Sequence, residues 1–190
     1  MDRRGVSLVE PRILRHFAEL FDGSVAAAID STDSNRHHAS HHYLKHLDYG
    51  ITALKTTAVV DTETQAVLDA HCTTKRRHDT QIGLQVARVP AGDLQSLTGD
   101  KGYDWQRIRD RLRSADVRPL IKHREFPPLD LAHNARPDDE RYGQRWMCET
   151  VFSVIKRSLG FVVRARAWYR QFRETVLTFA VYNVKRSLTQ

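Results

Sequence analysis

Residues 142–156 read YGQRWMCETVFSVIK and carry Tyr142, Arg145, Glu149 and Lys156, with two, three and six residues between successive members. On an α-helix, at roughly 100° per residue, these four and Phe152 share an arc of about 80°. Met147, Val151, Val154 and Ile155 fall on nearly the opposite side, as a core-facing stripe. The spacing predicts one helix that buries its apolar side and presents a carboxylate flanked by a phenol, a guanidinium and an ammonium. A solvated helix face has the same pattern, so the meaning of Glu149 depends on partners elsewhere in the chain.

Downstream, Trp168 to Leu188 reads as a final helix with Phe172, Val176, Phe179, Ala180 and Val184 on its apolar side. Residues 141–190 hold ten Lys/Arg against two acids, Glu149 and Glu174, a surplus of +8. The preceding 140 residues therefore carry −1 of the total +7. A localised basic third is the electrostatic footprint of a polyanionic partner, most simply nucleic acid.

Upstream, Asp138, Asp139 and Glu140 complement the dipole at the start of the key helix. The stretch His123 to Pro137 holds three prolines and little periodicity, and reads as a loop. Before it come a short strand at Leu94–Thr98, a basic helix at Trp105–Ser114 and a strand at Val117–Ile121. Two strands joined by a helix of that length form a parallel crossover. The first strand runs directly into GDKGYD, residues 99–104, so Asp100 lies just past a strand end between glycines that allow a sharp turn.

Nearer the start, SVAAAID at residues 24–30 is a short apolar run closed by Asp30. Its uniform apolarity suits a strand buried on both faces, although three alanines also suit a helix. Tyr49–Val60 and Thr64–Thr73, separated by Asp61-Thr62-Glu63, have the composition of a hairpin. Lys55 falls inside its first strand and must face solvent or a ligand. Lys75 to Asp79 forms a basic loop, and Thr80–Val89 a short helix closed by Pro90. Leu8–Phe21 is an amphipathic helix that stops at Asp22-Gly23.

Residues 35–46 contain five of the ten histidines, and His38, His42 and His46 have helical spacing. A zinc site would need further ligands, and no cysteine or carboxylate completes a set there. A polar loop that touches phosphate is the other reading.

At 190 residues the chain fits one domain with a real core. No run approaches the ~18 apolar residues of a membrane span, and no apolar segment follows the charged start as in a signal peptide. Cys72 and Cys148 lack metal-type spacing and suggest no disulfide framework, which points to a reducing, cytoplasmic setting.

Asp30 and Asp100 both close apolar strands, and Glu149 lies on a later helix. If the two strands are neighbours, three carboxylates converge at one sheet edge. At ~4 Å and an effective dielectric near 20, each like-charged pair costs on the order of 4 kcal/mol. Such a cluster is tolerable with shared protons or bound cations, and all-oxygen ligation favours Mg²⁺ or Mn²⁺ over zinc. Two such ions suit in-line displacement at phosphorus, with water or a DNA 3′ hydroxyl as nucleophile.

These motifs resemble the insertion-sequence transposases that carry an Asp-Asp-Glu triad on a ribonuclease H-like fold. The resemblance runs from about Ala27 to Lys185. Its most specific part is the Tyr-Arg-Glu-Lys signature at Tyr142, Arg145, Glu149 and Lys156. AIDST around Asp30 and GDKGYD around Asp100 match the family's first two acidic motifs. LKTTAVVDT and RPLIKHR bring the compact archaeal members closest.

The resemblance implies an α/β fold with a mixed central sheet flanked by helices. It divides the chain into a residual helical segment at 1–22 and a catalytic domain at 23–190. It further implies that Asp30, Asp100 and Glu149 ligand two Mg²⁺ or Mn²⁺ ions, and that Tyr142, Arg145 and Lys156 position a phosphodiester. Arg164, Arg166, Arg170 and Arg173 would track the DNA backbone without reading sequence. The expected reaction is nicking at the element's ends and transfer of the 3′ hydroxyl to target DNA, by a homodimer on DNA in the cytoplasm, at the nucleoid. Family members usually carry a longer N-terminal region that recognises terminal repeats. The short N-terminal segment here suits either a truncated, inactive remnant that only binds DNA or a chain whose recognition segment lies elsewhere.

Overall fold

The computed structural model describes residues 26–35, 53–73, 78–86, 94–124, 128–135, 139–160, 162–165 and 167–189. Within them, β1 (Ala26–Asn35), β2 (Ala53–Asp61), β3 (Val67–Thr73), β4 (Ser96–Gly99) and β5 (Arg118–Ile121) form one sheet in the order β3-β2-β1-β4-β5. The pairs β1–β2 and β2–β3 are antiparallel, whereas β1–β4 and β4–β5 are parallel. The helices are α1 (Asp79–Val86), α2 (Gln106–Arg113), α3 (Pro128–Asn134), α4 (Asp139–Gly143), α5 (Trp146–Ser158) and α6 (Trp168–Ser187). The expected mixed sheet flanked by helices is therefore present. None of these helices is long and apolar enough to cross a membrane.

Alternation along β1 decides which helix meets which residue, because successive strand side chains point to opposite faces. Ala28 joins Ala58, Val60, Val67 and Ala70 in a core with Cys148, Val151, Phe152 and Ile155 of α5 and Phe172, Val176 and Phe179 of α6. Ala27 and Ile29 join the other core, with Ile82 of α1 and Ile108 and Leu112 of α2. Each large apolar side chain buried this way contributes roughly 1.5–3 kcal/mol. The apolar AAAI run is thus covered on both faces, as a strand at the middle of a sheet must be.

Several local expectations are corrected. Strand β1 does not stop at Asp30: it continues through Asn35, pairing with β2 as far as Asn35↔Ala53. Asp30 marks instead the point where the parallel pairing with β4 has ended, at Ile29↔Gly99. The proline-rich segment after β5 contains helix α3, begun by Pro128. A proline without N–H fits a first helical turn, where that donor has no partner anyway.

The 142–156 stretch is not one α-helix. Tyr142 belongs to α4, and Arg145 caps α5 after a tightened turn. There Gln144, Arg145, Met147 and Cys148 donate their N–H groups to carbonyls three residues back, at 3.0–3.3 Å. Gly143 weakens an α-helix at this point, and each residue in such a turn advances about 120° rather than 100°. The arc expected of one continuous helix is therefore lost. Phe152 lies in the core, 4% exposed, with Cys148, Val151 and Ile155, while Met147 and Val154 are only partly buried. On α6, Val184 is exposed, and Tyr182 and Asn183 are buried near it. The Leu8–Phe21 helix, the histidine cluster and Lys75–Arg77 lie outside the described residues.

Candidate active site

Asp30 shares a face of β1 with Ala28, so it points toward α5; its cross-strand partner Ala58 lies in that same core. Its Oδ1 accepts the Ser31 N–H at 2.7 Å. Asp100 leaves β4 as the cap of a single 3-10 turn, Lys101–Tyr103, and its Oδ1 accepts the Gly102 N–H at 2.8 Å. A Cβ on Gly102 would stand 2.7 Å from that oxygen, so glycine is what lets the carboxylate fold back here. Glu149 lies in the first turn of α5 and is exposed. Two turns on, Lys156 Nζ donates to Thr32 Oγ1 at 2.7 Å, linking α5 to the same face of β1.

Asp30 senses the other two acids. Burial, then the charges of Asp100, Glu149 and Asp79, push Asp30 up to about 6, against the Ser31 N–H that favours its ionised form. Burial, with the charges of Asp30 and Glu149, likewise raises the Cys148 thiol behind them. Among the described residues no three His, Cys, Asp or Glu side chains close round a point as a finished ligand set. The donors nevertheless fit a hard divalent cation: all are carboxylate oxygens, Asp30 carries a charge penalty that a cation would relieve, and exposed Glu149 has room to swing.

Tyr142 brings a cationic group to this edge. Lys122 Nζ lies 4.4 Å from its ring centroid and Arg145 Cζ 5.9 Å, both within cation–π range. Helix α4 is held to β4 by Thr98 Oγ1, which donates to the Arg141 carbonyl at 3.3 Å. Lys122 was not singled out by sequence reasoning. Its only signal was a basic residue directly after an apolar strand, and the neighbour of that strand was not legible.

The segment after Lys122 is anchored from beneath. Buried Arg109 donates through Nη1 to Asp104 Oδ1 at 2.6 Å and through Nη2 to the Ile121 carbonyl at 3.1 Å. Asp104 also accepts the Arg124 N–H at 2.7 Å, and Asn134 pairs with His123 N and O at 2.7 and 2.9 Å. Burial disfavours the Asp104 carboxylate, but the Arg124 N–H, Arg109 and His123 outweigh it and hold the group below its usual range.

The basic third is more dispersed. Helix α6 runs antiparallel to β3, with Asn183 bonded to Val67 and Thr175 lying beside Cys72. Cys72, Thr56 and Thr32 are level across the sheet, so the N-terminal end of α6 lies toward the end marked by Lys156. Exposed Arg170 and Arg173 sit 5.8 and 6.0 Å from the Tyr169 ring centroid. The Arg164 and Ala165 N–H groups bond the Glu174 carboxylate at 2.8–3.1 Å, leaving the Arg164 residue exposed. Arg166 lies outside the described residues.

The sequence matches the family described as Transposase DDE domain over residues 22–184. No curated protein matches it. Among solved structures, the chain is similar to a piggyBac transposase synaptic complex with hairpin DNA, with a TM-score of 0.56 at 9% identity. That likeness covers 91% of this chain and 49% of the other, so the chain spans about half the length of that transposase. It is one of fold, the ribonuclease H-like sheet with flanking helices. A simian T-cell lymphotropic virus intasome in complex with PP2A regulatory subunit B56 gamma gives a TM-score of 0.36 at 16% identity, over 68% of this chain and 51% of that one.

Proposed function

Because the chain belongs to the transposase DDE-domain family, we propose that it catalyses divalent-metal-dependent cleavage and strand transfer of DNA at the ends of an insertion sequence. The observation that carries this reading is the β1–β4 register, which sets Asp30 and Asp100 one step beyond neighbouring paired residues, with α5, the helix of Glu149, tied to the Asp30 face of β1 through Lys156 and Thr32. Asp30, Asp100 and Glu149 would hold two Mg²⁺ or Mn²⁺ ions, which supply charge neutralisation at the attacking and leaving oxygens.

The chain's own groups do the positioning. Arg145 offers a bidentate donor to a phosphate and Lys156 a point charge. Tyr142 orients Arg145 and Lys122 through its ring face. Arg164, Arg166, Arg170 and Arg173 would neutralise the flanking backbone, giving affinity that falls with salt and is indifferent to sequence. The Tyr-Arg-Glu-Lys residues support membership of that group of insertion-sequence transposases, nearest its compact archaeal members. A homodimer engaging paired DNA ends at the nucleoid, in the cytoplasm, fits the reaction.

The test uses a duplex carrying the inverted repeats that flank the gene. Mg²⁺- or Mn²⁺-dependent nicking is expected, and its abolition by Asp100→Ala and by Glu149→Ala. Equal cleavage by those variants and the wild type would refute the assignment. Salt-sensitive binding with no cleavage under any divalent ion would leave the DNA-binding remnant.

A further inference from the structure

On the face of β1 away from Asp30, the Ser31 hydroxyl joins four segments of the chain. It lies 2.7 Å from Thr57 Oγ1 on β2, 2.9 Å from the Tyr103 hydroxyl and 3.2 Å from Asp79 Oδ1 on α1. Lys55 of β2 pairs with the same Asp79 oxygen at 2.6 Å. The proton directions follow from chemistry. An Asp79 carboxylate held by a lysine only accepts, so Ser31 donates to it, and Thr57 and Tyr103 must both donate to Ser31. The hydroxyl then has its one donor and two acceptor positions filled. Burial, the largest influence on Tyr103, raises its phenol well above the usual range and keeps it a donor.

Tyr103 is held tightly. It is 1% exposed, and a Cβ on Gly83 or Gly99 would stand 2.8 or 3.3 Å from its ring. It also ends the 3-10 turn that Asp100 caps. The last paired residues of β1 and β4 are Ile29 and Gly99, so the two aspartates stand one residue beyond the paired part of the strands. The Tyr103–Ser31 bond ties the two segments together just past that point: one end is adjacent to Asp30, and the other is three residues from Asp100.

We propose that Tyr103, acting through Ser31, is a positioning residue whose hydrogen bond sets the spacing of the Asp30 and Asp100 carboxylates as a divalent-cation site. This rests on the metal-dependent reading above but concerns residues on the opposite face of the sheet. The Lys55–Asp79 pair completes the strut by holding the acceptor that orients the Ser31 hydroxyl.

The experiment is Mn²⁺ binding to the full chain, followed by the electron paramagnetic resonance signal of free Mn²⁺, with thermal melts run in parallel. Tyr103→Phe and Ser31→Ala are expected to weaken binding by about 10–100-fold, as removal of an outer-shell partner does. Thr57→Val removes the other donor to Ser31 but lies on a strand without a site carboxylate, and is expected to leave Mn²⁺ affinity unchanged. Unchanged affinity in Tyr103→Phe would overturn the proposal. So would equal weakening in Thr57→Val, which would mark the cluster as general packing. Failure of the wild-type chain to bind Mn²⁺ would overturn the metal-site reading itself, and the strut with it.

Discussion

Ile29 lies opposite Gly99 as the last registered pair of β1 and β4, and Gly99 in turn lies opposite Ile121 at the end of β5. The next residues along the three strands are Asp30, Asp100 and Lys122. Three apolar or small residues thus end the buried part of the parallel sheet on one level, and three charged residues follow one step later. Beyond this line β1 continues with β2 alone, which opens the space where Glu149 and Lys156 of α5 face β1.

The raised Asp30 makes stability depend on pH. Between the unfolded carboxylate value of about 3.9 and the folded value of about 6, the folded chain binds more protons than the unfolded one. Its stability therefore falls as pH rises through that window. Asp30→Asn removes the penalty, so with chelator present it should melt higher than wild type at pH 7–8, with the gap closing below about pH 4. Thermal melts across that range check this, and a pH-independent gap would contradict it. The same variant should abolish cleavage.

Arg109→Met should be strongly destabilising, by about 3 kcal/mol or more, because it leaves the Asp104 carboxylate partly buried without its guanidinium. Denaturant unfolding measures the loss. Since the folded Asp104 is held below its usual range, the network's contribution is full above about pH 4 and is lost as pH falls through the folded value. The wild-type advantage over Arg109→Met should shrink in acid accordingly.

Lys122→Ala and Arg145→Ala should weaken DNA binding evenly across sequences. Each should lower the slope of log K against log salt by about 1, as expected when one fewer phosphate is neutralised. Binding isotherms at several salt concentrations are the measurement. A changed sequence preference with an unchanged slope would argue against a role at the phosphates.

Asn183→Leu should cost at least about 2 kcal/mol. The Asn183 side chain is fully buried and bonds both Val67 N and Val67 O at 2.8 Å, standing in for a strand partner beside β3. Leucine leaves both backbone groups buried and unpaired, at about 1–3 kcal/mol each. A denaturation midpoint equal to wild type would contradict this account.

Much of this architecture was legible in the chain itself. The AAAI run, the hairpin composition around Asp61 and the apolar stretches flanking the 106–113 helix follow from local periodicity, and they mark the five strands. Asp30, Asp100 and Glu149 stood out because each carries its own motif. Local patterns could not say where β1 ends, since polar residues 31–35 are strand only because β2 pairs with them. Nor could they show the tightened turn at 143–145, which rotates Tyr142 and Arg145 away from the α5 stripe, or the burial of Phe152 in the core. Register between distant strands also lay beyond the sequence. It alone makes Lys122 a neighbour of Asp100 and brings Thr57, Asp79 and Tyr103 to the Ser31 hydroxyl. Periodicity is a property of a few consecutive residues, whereas register and facing are settled by which side chains the whole sheet can bury together.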